Sequence, residues 1–289
     1  QLQPLTAGVS VYPMDALAGH KGQIDVLNSA LGVNGALTLA DAVSITGAGL
    51  ALQGGTLSLA GNASVTTLRQ TGGTLTGGGT LTLTGAGSAW ISGFMTGGGT
   101  TKVAAGATLT IGDYASGGSA FAVAQLGNRT LLNEGTIVAK DSRYFGSSLY
   151  SGLDFEGAGV LVSNGGKVDF QGSYAWSNVT GAAGSFALQG SLETLNNKAM
   201  LLGQGGSIAA STSITGAGMS LSGSWQLGAG TSFSRLLFAS GTLTLADAVQ
   251  VGTLTQTGGT VTGAGTLTLT GTDSAFYGLH TGGGVTRIA

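Results

Sequence analysis

Asp154 and Glu156, in the string SGLDFEGAG, are the closest pair of acidic residues in the chain. On a strand, an i, i+2 pair projects from one face. Two carboxylates placed so could hold a cation or serve as general acid and base in cleaving a polysaccharide. No further acid or base accompanies them, so the plainer reading is two outward, solvated carboxylates. His20 and His280 stand alone without metal-ligand spacing and read as surface residues. A GxSxG elbow, a phosphate loop ending in GK[ST] and the aspartate-bearing calcium nonapeptide are all missing. The expectation is therefore no catalytic residue, no metal ligand, no cofactor and no enzyme. Asn62, Asn128 and Asn178 lie in N-x-[ST] sequons, which matter only if the chain passes a glycosylation machinery.

The elements that would carry such residues are short strands. TLTLT occurs at Thr80 to Thr84 and again at Thr266 to Thr270. Alternation with a period of two puts each Leu on one face and each Thr on the other. GG, GAG and GGG separate these runs, and glycine turns a backbone tightly without a Cβ clash. Glycine contributes 56 of 289 residues, proline two and cysteine none, while 42% are hydrophobic. That composition excludes collagen, which needs glycine at every third position, and a disordered linker, which would be poor in apolar residues. The absence of cysteine neither demands nor excludes an oxidising compartment.

The apolar residues belong to near-identical strings. Gln70 to Leu83 and Gln256 to Leu269 lie 186 residues apart and differ only at Leu75/Val261 and Gly78/Ala264. After a one-residue slip, Met95 to Ala104 (MTGGGTTKVA) answers to His280 to Ala289 (HTGGGVTRIA). TLADAV and SITGAG also occur twice. Repeated short strands point to stacked coils, because one coil cannot bury its apolar stripe alone and stacking joins the stripes into one core. The fold predicted is all-β, a right-handed parallel β-helix (β-solenoid), and coils of about 20 residues would number on the order of 13, in a rod about 60 Å long. Leu57, Leu59, Leu81, Leu83, Val103, Leu109, Ile111, Leu243, Leu245, Leu267 and Leu269 are expected inside, with Thr and Ser outside. One continuous solenoid divides into an N-terminal segment (1–35), regular coils (36–112), irregular coils rich in aromatics (113–200) and a second regular block (201–289). The middle aromatics, among them Tyr144, Phe145, Phe155, Phe170 and Trp176, are either core wedges or a surface for a glycan or protein receptor.

LGNRTLLNEGTIVA (Leu126 to Ala139), AAGATLTIG (Ala104 to Gly112) and the GGTLTLTG strings resemble coils of filamentous-haemagglutinin-like exoproteins and autotransporter passenger domains. The resemblance implies a right-handed parallel β-helix, export to the cell surface or beyond, and a part in adhesion or biofilm structure. Separately, outward Thr-x-Thr arrays resemble the ice-binding faces of some antifreeze proteins, although β-branched threonine also simply suits a half-exposed strand.

Ten basic and twelve acidic residues leave a net charge of -2, with no basic footprint for nucleic acid. No apolar run approaches the length of a membrane helix, and no membrane insertion is expected. The chain opens on Gln1 without a signal peptide and reads as a mature or excised piece of something longer. An open solenoid edge invites another strand. Head-to-tail self-association, or neighbouring coils of a longer chain, is therefore expected, with TAGVSV (Thr6 to Val11) in the place that AAGATL takes in the first copy. The contact candidates are Leu5, Thr6, Val9 and Val11 on one side and Val285, Arg287 and Ile288 on the other. The function this favours is a secreted structural or adhesive segment of an extracellular fibre; a polysaccharide-active β-helix enzyme and an ice-binding protein are the alternatives.

Overall fold

A computed structural model describes residues 22–27, 29–112, 124–140, 144–145, 148–149, 153–155, 160–171, 176–178, 187–196 and 198–289. The contact candidates Leu5, Thr6, Val9 and Val11, together with His20 and Glu156, lie outside the described residues.

Thirty strands hydrogen-bond in parallel into a β-solenoid of about 11 turns, and among the described residues 66% are strand and none is helix. The alternation explains the register. Thr80–Leu83 pairs in parallel with Thr100–Val103, which pairs with Thr130–Asn133, which pairs with Val160–Phe170. Side chains thus stack in columns, and Leu81, Thr101, Leu131 and Leu161 form one inward column. Every leucine, valine and isoleucine expected inside is buried. Each such aliphatic side chain contributes about 1.5–3 kcal/mol by leaving water. On the outward face Thr80, Thr100 and Thr130 are half-buried and stand in register from coil to coil.

One expectation is refined and one corrected. The described residues make about 11 turns, in line with the order of 13 expected of the whole chain, but coil length is not uniform. Successive coils are 18 residues apart where Thr56 pairs with Thr74, 20 where Thr80 pairs with Thr100, and 30 where Thr100 pairs with Thr130. The larger coils of the middle use up chain without adding rise. Nor are all threonines outward: Thr101, Thr194, Thr212 and Thr231 are buried. A two-residue antiparallel pair, Tyr144–Phe145 with Ser148–Leu149, stands apart from the parallel stack. No described helix is long and apolar enough to cross a membrane.

Candidate functional site

The acidic pair is described only in part. Asp154 falls on the strand Leu153–Phe155, paired with Gln125 below and Ser177 above, and Glu156 lies beyond the description. Among the described residues, no three His, Cys, Asp or Glu side chains gather as a metal-binding group. Of the middle aromatics with described side chains, Phe170 and Trp176 are buried and meet edge to face at 5.8 Å, as core wedges do.

The most distinctive polar arrangement is internal and was not anticipated. Arg129, 2% exposed, precedes the strand Thr130–Asn133 and shares the inward face of Leu131 and Asn133. Its Nε donates to Thr101 Oγ1 at 2.9 Å. Nη1 donates to the carbonyls of Gly77 (3.0 Å) and Thr96 (3.1 Å), and Nη2 to those of Gly79 (3.1 Å) and Thr100 (2.9 Å). All five guanidinium donors are used, on acceptors from two successive coils beneath Arg129. Every acceptor is neutral. Burial lowers the Arg129 pKa to about 10, which still leaves the group charged at neutral pH.

Glycine makes room for it. A Cβ at Gly99 would strike the Gly79 carbonyl oxygen, lie 2.6 Å from that of Gly77 and 2.8 Å from Arg129 Nη1. The stacked triple-glycine corners, Gly77–Gly79 and Gly97–Gly99, thus bring bare carbonyls to a side chain that has no carboxylate.

No family model, curated protein or solved structure matches this chain.

The second copy of the repeat builds the same corner without the arginine. Thr266–Leu269 pairs with Val285–Ile288 in the register that joins Thr80–Leu83 to Thr100–Val103, so Thr286 occupies the inward column position of Thr101. Where the first copy has Met95, the second has His280. The His280 ring lies 2.7 Å through Nε2 from Gln256 Oε1 and 3.2 Å through Nδ1 from Thr286 Oγ1, with Phe276 edge-on at 5.3 Å. Gln256 Nε2 donates to the Gly259 carbonyl, so its Oε1 accepts from His280 Nε2–H and leaves Nδ1 to accept the Thr286 hydroxyl proton. Although the residue as a whole is exposed, partial desolvation lowers the imidazole pKa below 6.5. In the first copy the equivalent Gln70 Oε1 is buried without a partner, because the thioether of Met95 cannot donate.

This second corner lies on the last of the described coils. Phe276, Val285 and Ile288 are 40%, 59% and 76% exposed, whereas Trp90 and Val103, which answer to Phe276 and Ile288, are buried under the next coil. The predicted contact residues Val285, Arg287 and Ile288 therefore lie together on one strand, with Val285 and Arg287 facing outward and Ile288 in the inward column.

Proposed function

We propose that the chain is a structural or adhesive segment of an extracellular fibre, of the filamentous-haemagglutinin-like kind, in which solenoid coils continue across the joints between segments. What supports this reading is the repeat-built parallel stack, in which each coil offers its neighbour the same ladder and inward column, as Thr80–Leu83 does to Thr100–Val103. A parallel edge with apolar side chains is a template for β-augmentation, and a head-to-tail contact of this kind grows without closing. A chain without cysteine and with a repeat core tolerant of stepwise folding suits export unfolded and assembly outside the cell. In this reading Leu5, Thr6, Val9 and Val11 of one copy meet Val285, Arg287 and Ile288 of the next, and a surface glycan or protein receptor is the target of the finished fibre.

Electron microscopy of the intact chain and of a chain lacking its first twelve residues tests the joint. Fibres from the intact chain, and only folded monomers from the shortened one, are expected. A shortened chain that polymerises normally, or an intact chain that stays monomeric at high concentration, would overturn the head-to-tail joint.

A further inference from the structure

Asparagine followed by glycine occurs twice in the chain, at Asn34–Gly35 and at Asn164–Gly165, and all four residues are exposed. Glycine in second place leaves its backbone nitrogen unshielded by a Cβ, so that nitrogen can reach the carboxamide of the asparagine before it. The fold treats the two pairs differently. Asn164–Gly165 lies within the strand Val160–Phe170, where Asn164 pairs with Ser191. The Gly165 N–H donates to Ser191 Oγ at 2.8 Å, the Gly165 φ is +71°, and the Asn164 side chain hydrogen-bonds the Glu134 carboxylate. Nucleophile and electrophile are both engaged. Asn34–Gly35 instead bends the chain between the strands Leu31–Val33 and Ala36–Leu39. Among the described residues, neither the Gly35 N–H nor the Asn34 carboxamide has a hydrogen-bond partner.

We infer that Asn34 is a self-modifying site, which the chain converts with water alone into aspartate and isoaspartate. The Gly35 nitrogen gives its proton to solvent base and attacks Asn34 Cγ. The bond from Cγ to the carboxamide nitrogen breaks, and that nitrogen takes up a proton and leaves as ammonia. Water then opens the cyclic imide. Breaking the new bond at Cγ gives aspartate; breaking the bond at the main-chain carbonyl carbon gives isoaspartate, whose chain runs through Cγ and is one methylene longer. Either product adds one negative charge to the net -2. The consequence is local. The Val33 carbonyl accepts the Gln53 N–H at 3.2 Å and the Gly35 carbonyl that of Thr56 at 2.9 Å, and a Cβ at Gly55 would strike the Gly35 carbonyl oxygen. A longer chain through residue 34 moves these two carbonyls out of register, so the conversion is a slow, one-way loosening of residues 31–39 from residues 50–59.

The test incubates the intact chain at mildly alkaline pH, in native buffer and in denaturant, and follows both sites by peptide mapping and isoaspartyl methyltransferase labelling. In the folded chain Asn34 should convert at least about tenfold faster than Asn164, which must first give up a neutral and a charge-assisted hydrogen bond. In denaturant the two rates should converge. No atom stands within 4 Å of a Cβ built at Gly35, so Gly35→Ala keeps the fold and should slow Asn34 while leaving Asn164 unchanged. Ser191→Ala combined with Glu134→Ala should quicken Asn164 alone. Equal rates at the two sites in the folded chain, an Asn34 that converts only in denaturant, a Gly35→Ala chain that converts as fast as the parent, or an Asn164 as slow as before in the double variant would each overturn the assignment.

Discussion

Replacing Arg129 by methionine isolates what the buried guanidinium contributes. Methionine fills similar space and keeps the aliphatic stem but donates nothing, so five acceptors lose their partner at once. Charged hydrogen bonds measured singly, at about 1.5–3 kcal/mol each, would sum far too high. Two effects reduce the total. Removing the group also removes its desolvation cost, which is visible in a pKa lowered to about 10. The Gly79 carbonyl also keeps the amide of Thr100 at 3.2 Å. The net loss is about 3–5 kcal/mol, as expected when a few buried acceptors are left unpaired at about 1–3 kcal/mol each. Because Arg129 reaches no further than the two coils beneath it, the loss is local, and global melting is the wrong measurement. Amide hydrogen exchange resolves it: at about 1.4 kcal/mol per tenfold, exchange from 74–139 should quicken by roughly 150- to 5,000-fold while 213–269 is unchanged. Arg129→Lys should fall between, since an ammonium cannot span the five acceptors. Arg235→Met, at an exposed position, is the control. A change below about fivefold for Arg129→Met would mean that the carbonyls find other donors and that the guanidinium is not what ties these coils together.

Gly99→Ala should give a similar local loosening, and the double variant with Arg129→Met should be no worse than either alone, since both empty the same cradle; additive losses would refute a shared cause. The His280 ring should titrate below 6.5 when followed by NMR of its imidazole. Below its midpoint Nδ1 is protonated and cannot accept from Thr286, and the side chains against the ring, Gln256, Thr286 and Phe276, carry no charge to favour the imidazolium. A midpoint above 6.5 would count against this arrangement. Glu134 is held below its ordinary 4.5, first by its hydrogen bond from Lys102 at 2.8 Å, so this pairing operates above that value and fades as pH falls through the lowered one. A carboxyl titration by NMR should show the midpoint rising in Lys102→Met. A panel of pectin, alginate, glycosaminoglycans and bacterial polysaccharides should show no turnover, and cleavage lost on Asp154→Asn would revive the lyase or hydrolase reading.

Much of the fold was legible because strict alternation and glycine corners leave few alternatives: the inward leucines of both TLTLT runs sit where a period of two places them. The length of the middle coils was legible only in part, because the fading repeats of 113–200 predict irregular coils but do not give the 30-residue spacing from Thr100 to Thr130 to Val160. The Arg129 corner was missed for a definable reason. Charge argues for the surface, and threonine was assigned outward as a class. Yet Arg129 is in phase with Leu131, and Thr101 takes the slot that Leu81 fills one coil earlier. An inward threonine followed, one coil on, by an arginine on the same face is the signal, and the second copy keeps the threonine as Thr286.

A stack of coils pulled from one end would ordinarily peel a turn at a time, each turn of about 20 residues yielding about 70 Å of extended chain. Arg129 breaks that regularity, because its bonds reach back to Gly77, 52 residues earlier. Nothing between those residues can be drawn out while the guanidinium is seated. Once it leaves, roughly 180 Å would be released together. One side chain thus sets a coarse rupture step within a fine-grained material, in the manner of a knot in a seam that otherwise runs stitch by stitch.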